Sequence, residues 1–201
     1  MPDQGLPHFD DMLGNYEYGR ELCINEFSII PSIAWTIDAF GQSAYQNRLF
    51  SELGYHTVVT NRVPYKFKTM LKHTKDLEFR WVGALPEHSM ATIVLHGHYN
   101  TGNFFENIGP MSMSSSEFRL LHYYYISQVL YEDASNDNVG NHTMIFNGDD
   151  FYFLPFEPFY SMLKIKYWIL RSNSRSLFNG STWRISTIGE YIEIKSMERH
   201  K

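Results

Sequence analysis

Hydrophobic and polar positions along the chain change period several times, and each change predicts an element. From His8 to Phe27 the apolar positions Phe9, Met12, Leu13, Tyr16 and Cys23, with Gly19, recur at spacings of three and four. That spacing predicts one apolar face of a helix. FSIIPSIAW follows, rich in Ile and interrupted by Pro31, and predicts a short strand entered just after the proline. Tyr45, Leu49, Phe50 and Leu53 return to helical spacing, and Gly54 is placed to cap that helix. YHTVVTNRV is β-branched and predicts a second strand; Pro64 then opens a helix through Leu71. LEFRWVG and ATIVLHGHY predict a third and a fourth strand. A long aromatic helix is predicted over 116–131, a fifth strand at HTMIFNG and a last helix over 157–171.

Short apolar strands alternating with amphipathic helices imply an α/β fold with a mostly parallel sheet. The sites of such folds lie at the C-terminal strand ends. Here those ends carry Asp38; Asn61 and Arg62; His98, Tyr99 and Asn100; and Asp149 and Asp150. Carboxylates, an Arg and a Tyr converging there suit a sugar, which offers hydroxyls to carboxylates and ring faces to aromatics. His96 and His98 share one strand face at a spacing of two, but a structural role is the expectation for that pair. Tyr123, Tyr124 and Tyr125 are read as helix packing, and Cys23 as core.

Composition narrows the class. The 201 residues suffice for one domain with a real core, and aromatics make up 16% of them. Net charge is −5 and charged residues are 19%, which argues against disorder and against an electrostatic nucleic-acid binder. One cysteine excludes an intramolecular disulfide and a thiolate zinc cluster. No apolar run reaches the length of a membrane span, and the first residues do not read as a signal peptide. Two glycosylation sequons, at Asn141 and Asn179, point toward the secretory pathway.

One stretch is more specific. Trp35-Thr36-Ile37-Asp38-Ala39-Phe40-Gly41-Gln42-Ser43 resembles the W-x-I-D-P-F-G-H-S motif of the α-mannosidases of glycoside hydrolase family 38. Further segments follow in order. Met1-Pro2-Asp3 resembles M-P-D-E-A; Leu49-Phe50, Gly54-Tyr55 and Arg62 resemble L-F-x-x-x-G-F…R; Leu77 to Trp81 resembles L-E-F-x-W. His98-Tyr99-Asn100 is similar to the tyrosine loop of the lysosomal and vacuolar types. Asn141 to Phe151 resembles N-H-T…G-x-D-F, and Asn173 to Tyr191 resembles N-S…F-N…T-x-x-E-Y. Ala39 stands where the motif has Pro, and Gln42 where it has His.

The resemblance implies an incomplete parallel β/α barrel-like catalytic domain with helices around the sheet, residues 1–201 forming part of a single N-terminal catalytic domain truncated at both ends. It implies a zinc-assisted, retaining α-mannosidase acting on terminal α-linked mannose of glycans. Asp38 is then nucleophile and zinc ligand, Asp150 general acid/base, and Arg62, Tyr99 and Asp149 substrate-binding residues. Retention needs two carboxyl groups roughly 5 Å apart flanking the glycosidic bond. One attacks the anomeric carbon; the other delivers a proton and later activates water. The family's remaining zinc ligands, an H-x-D motif and a later His, are expected outside this chain, with the remainder of the mannosidase chain as a partner. A lysosomal, vacuolar or other secretory-pathway location follows from motif style. The alternative is an inactive remnant, at most a weak mannose-binding module. A polysaccharide deacetylase-like barrel would need an H-x-x-x-H helix, which the sequence lacks.

Overall fold

The computed structural model describes residues 2–83, 85–99, 135–146, 150, 169 and 182–198. The chain divides into two compact units, Met1–Gly97 and His98–Lys201. The predicted helix over 116–131 lies outside the described residues. So does the helix over 157–171, apart from Ile169, which is helical.

The first unit opens with α1 (Phe9–Phe27), followed by β1 (Ile33–Thr36), α2 (Ala44–Glu52), β2 (Thr57–Thr60) and α3 (Tyr65–Thr74). Then come β3 (Glu78–Trp81), a 3₁₀ turn at Pro86–His88, and β4 (Met90–Val94). The strand order is β1-β2-β4-β3. β1 pairs in parallel with β2 (Trp35 opposite Val59), and β2 with β4 (Val59 opposite Ile93). β3 departs from the parallel expectation: it runs antiparallel to β4, with Phe79 opposite Thr92. The 3₁₀ turn reverses the chain over too few residues for the crossover that a parallel return requires.

All four residues of β2 are buried, as a strand covered on both faces must be. One core cluster joins Ala34, Phe50, Val58 and Met90, with Tyr16 and Tyr55 packed against it. Tyr16 and Tyr55 meet the Phe50 ring edge-on at 5.2 and 5.6 Å, a preferred aromatic geometry. A second cluster joins Leu71, Leu77 and Val94, flanked by Val63 and Phe79.

Several local expectations shift. Pro64 is the N-cap of α3 rather than a residue of its first turn, and the helix runs on to Thr74, where Lys75 at φ 61° ends it. Gly54 takes φ 86° just past α2, the left-handed value that suits glycine. α1 forms as predicted but buries none of its residues fully; Cys23 is half-buried rather than core. In the second unit, residues 142–146 of the predicted fifth strand form no strand. An unpredicted helix, α4 (Ile188–Glu198), closes the described chain. Its start is a capping box: Glu190 N–H donates to Thr187 Oγ1 at 3.2 Å, and Thr187 N–H to Glu190 Oε2 at 3.0 Å.

Candidate active site

The sheet order sets the site. β1 and β2 are parallel neighbours, so their C-terminal ends emerge side by side. Two buried threonines tie those ends together. Thr36 Oγ1 donates to the Val59 carbonyl at 3.2 Å, and Thr60 Oγ1 to the Thr36 carbonyl at 3.3 Å. Asp38 follows Thr36 by two residues and Arg62 follows Thr60 by two. Their side chains meet: Arg62 Nε donates to Asp38 Oδ1 at 2.5 Å, a charge-assisted contact. Both remain partly open, at 37% and 36% exposure. The Arg62 guanidinium also lies over the Phe40 ring, 4.6 Å from its centroid, within cation–π range. Phe40 is 71% exposed.

The loop between Asp38 and α2 is held at both ends. Ala39 is buried, and Gly41 takes φ 139°, a backbone value that favours glycine. Ser43 caps α2, its Oγ accepting Tyr45 N–H at 3.2 Å. Gln4 reaches back from the N-terminal segment. Its Nε2 donates to Gln42 Oε1 at 2.9 Å, and its Oε1 accepts Ser43 N–H at 2.8 Å.

A cation from α3 braces the neighbouring strand ends. Lys68 Nζ donates to Asn61 Oδ1 at 2.7 Å and to the Gly97 carbonyl at 2.6 Å. Asn61 is buried at the end of β2, and Gly97 follows β4. Lys68 sits three residues before the buried Leu71 and therefore on its helix face. That position was the sequence signal for an anchored lysine. Gln4 gave no comparable signal, because hydrophobic periodicity says nothing of an amide in an irregular segment.

Of the candidate residues, the structure brings Asp38 and Arg62 together. Tyr99 and Asp150 belong to the second unit. Tyr99 is half-buried, its ring 4.3 Å from that of His98; Asp150 is exposed in a turn. Asp149 lies outside the described residues. The segment at Asn141, within the N-H-T…G-x-D-F resemblance, is fastened to α4. Glu198 Oε1 accepts Asn141 N–H at 2.8 Å and contacts His142 Nδ1 at 2.6 Å. Lys195, buried, donates to the carbonyls of Val139 and His142. Burial pushes the Glu198 carboxyl up, but the hydrogen bonds from His142 and Asn141, with Lys195 nearby, outweigh it and hold the carboxyl below its ordinary value.

A catalytic zinc takes about three protein ligands. Among the described residues no three His, Cys, Asp or Glu side chains stand close enough to hold a metal ion. The described residues therefore do not make a zinc centre by themselves, and no chemical step is derived through one.

Residues 1–198 match the N-terminal domain model of glycosyl hydrolases family 38. The chain belongs to that family. It is 32% identical over 107 residues to a lysosomal alpha-mannosidase of Dictyostelium discoideum, a match covering 52% of this chain and 11% of that protein. Alpha-mannosidase E of the same organism is 28% identical over 194 residues, covering 94% of this chain and 16% of the relative. An alpha-mannosidase of Canavalia ensiformis is 35% identical over 109 residues, covering 52% and 11%. The family 38 chain thus spans only 11–16% of the length of these curated relatives. Its fold is similar to the crystal structure of an alpha-mannosidase from Enterococcus faecalis V583, at a TM-score of 0.69 and 16% identity, over 98% of this chain and 20% of that one.

Proposed function

We propose that this family 38 chain is part of a single, barrel-like α-mannosidase catalytic domain and carries the nucleophile of a retaining glycosidase. The observation that carries the reading is the 2.5 Å contact between Asp38 and Arg62 at adjacent parallel strand ends. Arg62 fixes one carboxylate oxygen of Asp38 and balances its charge, which orients the group for attack. In the first step Asp38 bonds to the anomeric carbon of a terminal mannose as the glycosidic bond breaks, while Asp150 gives its proton to the departing oxygen. In the second step Asp150 takes a proton from water, the water oxygen attacks the anomeric carbon, and Asp38 is released. Tyr99 and Asp149 contact the sugar. Zinc, when bound, would grip sugar hydroxyls; Asp38 is the ligand this chain offers, and the other donors would come from the remainder of a longer chain. Mannose-containing glycans are the substrate class. The lysosomal relative and the sequons support a lysosomal, vacuolar or other secretory-pathway location.

The test is hydrolysis of a chromogenic α-mannoside by the purified chain with added zinc, beside Asp38→Asn and Asp150→Asn variants. Loss of turnover in Asp38→Asn supports the assignment. Asp150→Asn should spare aryl mannosides with good leaving groups more than those with poor ones, as expected when a proton donor is removed. Turnover unchanged in Asp38→Asn would refute the nucleophile. No turnover above the control in any preparation would favour the remnant reading, a weak mannose-binding module.

A further inference from the structure

Two positions where this chain departs from the motifs quoted above touch each other. Gln4 stands where M-P-D-E-A has Glu, and Gln42 where W-x-I-D-P-F-G-H-S has His. Gln4 Nε2 donates to Gln42 Oε1 across 38 residues of sequence. The direction of that bond is dictated by a third group. Ser43 offers a backbone N–H, which only an acceptor can satisfy, so Gln4 must turn its Oε1 toward Ser43. Its amide nitrogen then faces residue 42, which must accept. Gln42 does so through its own carbonyl oxygen, while its Nε2 is buried with no hydrogen-bond partner among the described residues. A buried donor left unsatisfied is costly, and here it is the consequence of the orientation that Ser43 imposes.

We propose that Gln4 is a positioning residue for Asp38, and that Gln4 and Gln42 form a matched neutral pair fixing the far end of the 38–43 loop. The near end is fixed by Arg62, which holds Asp38 and stacks on Phe40. Without the clamp, the stretch between β1 and the Ser43 cap is free to move the carboxylate away from Arg62. The neutrality of the pair makes the clamp insensitive to pH, where a carboxylate beside an imidazole would titrate. The other charged groups on the two segments are already engaged: the Asp3 carboxylate accepts Gly5 N–H, and Asp38 is held by Arg62. What the fixed loop is for rests on reading Asp38 as the nucleophile; the clamp itself does not.

Thermal melting of the 201-residue chain tests the pairing, with Gln42→His, the double swap Gln4→Glu/Gln42→His, and Gln4→Met. In Gln42→His, neutral imidazole accepts from Gln4 but imidazolium cannot. The folded-state pKa of the introduced imidazole is therefore depressed, and the melting temperature falls relative to the parent as pH drops through about 6.5. In the double swap, the carboxylate introduced at position 4 accepts from both Ser43 N–H and imidazolium. The folded-state pKa of the imidazole is raised, so stability is gained as pH drops through the same range. Gln4→Met keeps the stem and loses both bonds, lowering the melting temperature by about 2–6 °C. It also weakens the energetic coupling of Asp38 to Arg62, which the double swap at low pH retains. Opposite pH slopes in the two imidazole-bearing variants establish the pair even if no mannoside is hydrolysed, in which case only the catalytic reading fails. Parallel slopes, or an Asp38–Arg62 coupling untouched in Gln4→Met, would overturn the proposal whatever the activity.

Discussion

Arg62→Met removes the ion pair with Asp38 and the stack on Phe40, and the size of the effect of losing them follows from their exposure. Both partners of the ion pair are more than a third exposed, at 37% and 36%, so solvent screens the Asp38–Arg62 attraction to about 0.2–1 kcal/mol. The stack on Phe40, whose ring is 71% exposed, adds about 0.5–1 kcal/mol. The total, about 1–2 kcal/mol, lowers the melting temperature by roughly 2–8 °C in a chain of this size. A double-mutant cycle with Asp38→Ala isolates the ion pair. We expect a coupling of about 0.5–1 kcal/mol at roughly 0.01 M salt. At about 1 M salt, where the Debye length is near 3 Å, less than half should remain. A coupling of about 3 kcal/mol or more that ignores salt would mark a desolvated pair and refute this account; so would no coupling at low salt. The conservative change Arg62→Lys keeps the charge but loses the planar group that reaches Asp38 and covers Phe40. If the contact matters for orientation, mannosidase turnover falls about 10–100-fold while the melting temperature moves by less than about 4 °C.

Two other perturbations have signs fixed by the structure. Burial, with Tyr55 adding to it, pushes the Tyr16 hydroxyl up to about 12, and its oxygen has no partner among the described residues. Tyr16→Phe should therefore raise stability, by about 1 kcal/mol in urea unfolding. It should also remove the part of alkaline destabilisation that begins above about pH 10, where the unfolded tyrosine ionises and the folded one does not. The depressed Glu198 carboxyl contributes stability above its unfolded value near 4.3, and that contribution is lost as pH falls through the folded value. Glu198→Gln should thus melt lower than the parent at neutral pH and converge with it in acid; a gap that persists in acid would contradict the ion-pair origin.

Most of the first unit was legible from pattern. β1, β2, β3, β4, α1, α2 and α3 all overlap the segments that periodicity marked, although β1, α2, α3 and β4 run past the marked ends, because short β-branched runs and amphipathic spacings report burial directly. The capping box at Thr187 and Glu190 was a legible signal too, yet α4 went unpredicted because its apolar residues make no clear stripe. The direction of β3 was not legible, since LEFRWVG reads the same in a parallel or an antiparallel pairing. The half-exposed state of Cys23 was equally hidden: a helical apolar stripe shows which face turns inward, not whether anything covers it.

The sequence by itself determined the family, through motifs running in order along the chain, and placed Asp38 and Arg62 at strand ends. Those are local properties, carried by residue order and by period. Only the tertiary structure decided that β1 and β2 are neighbours, which turns two residues 24 positions apart into a 2.5 Å contact. It likewise decided that Gln4 clamps Gln42 and Ser43 and that Lys68 braces Asn61 and Gly97. Polar side chains choose partners by direction and distance, and those are set when strands take their order in the sheet, which no local pattern encodes.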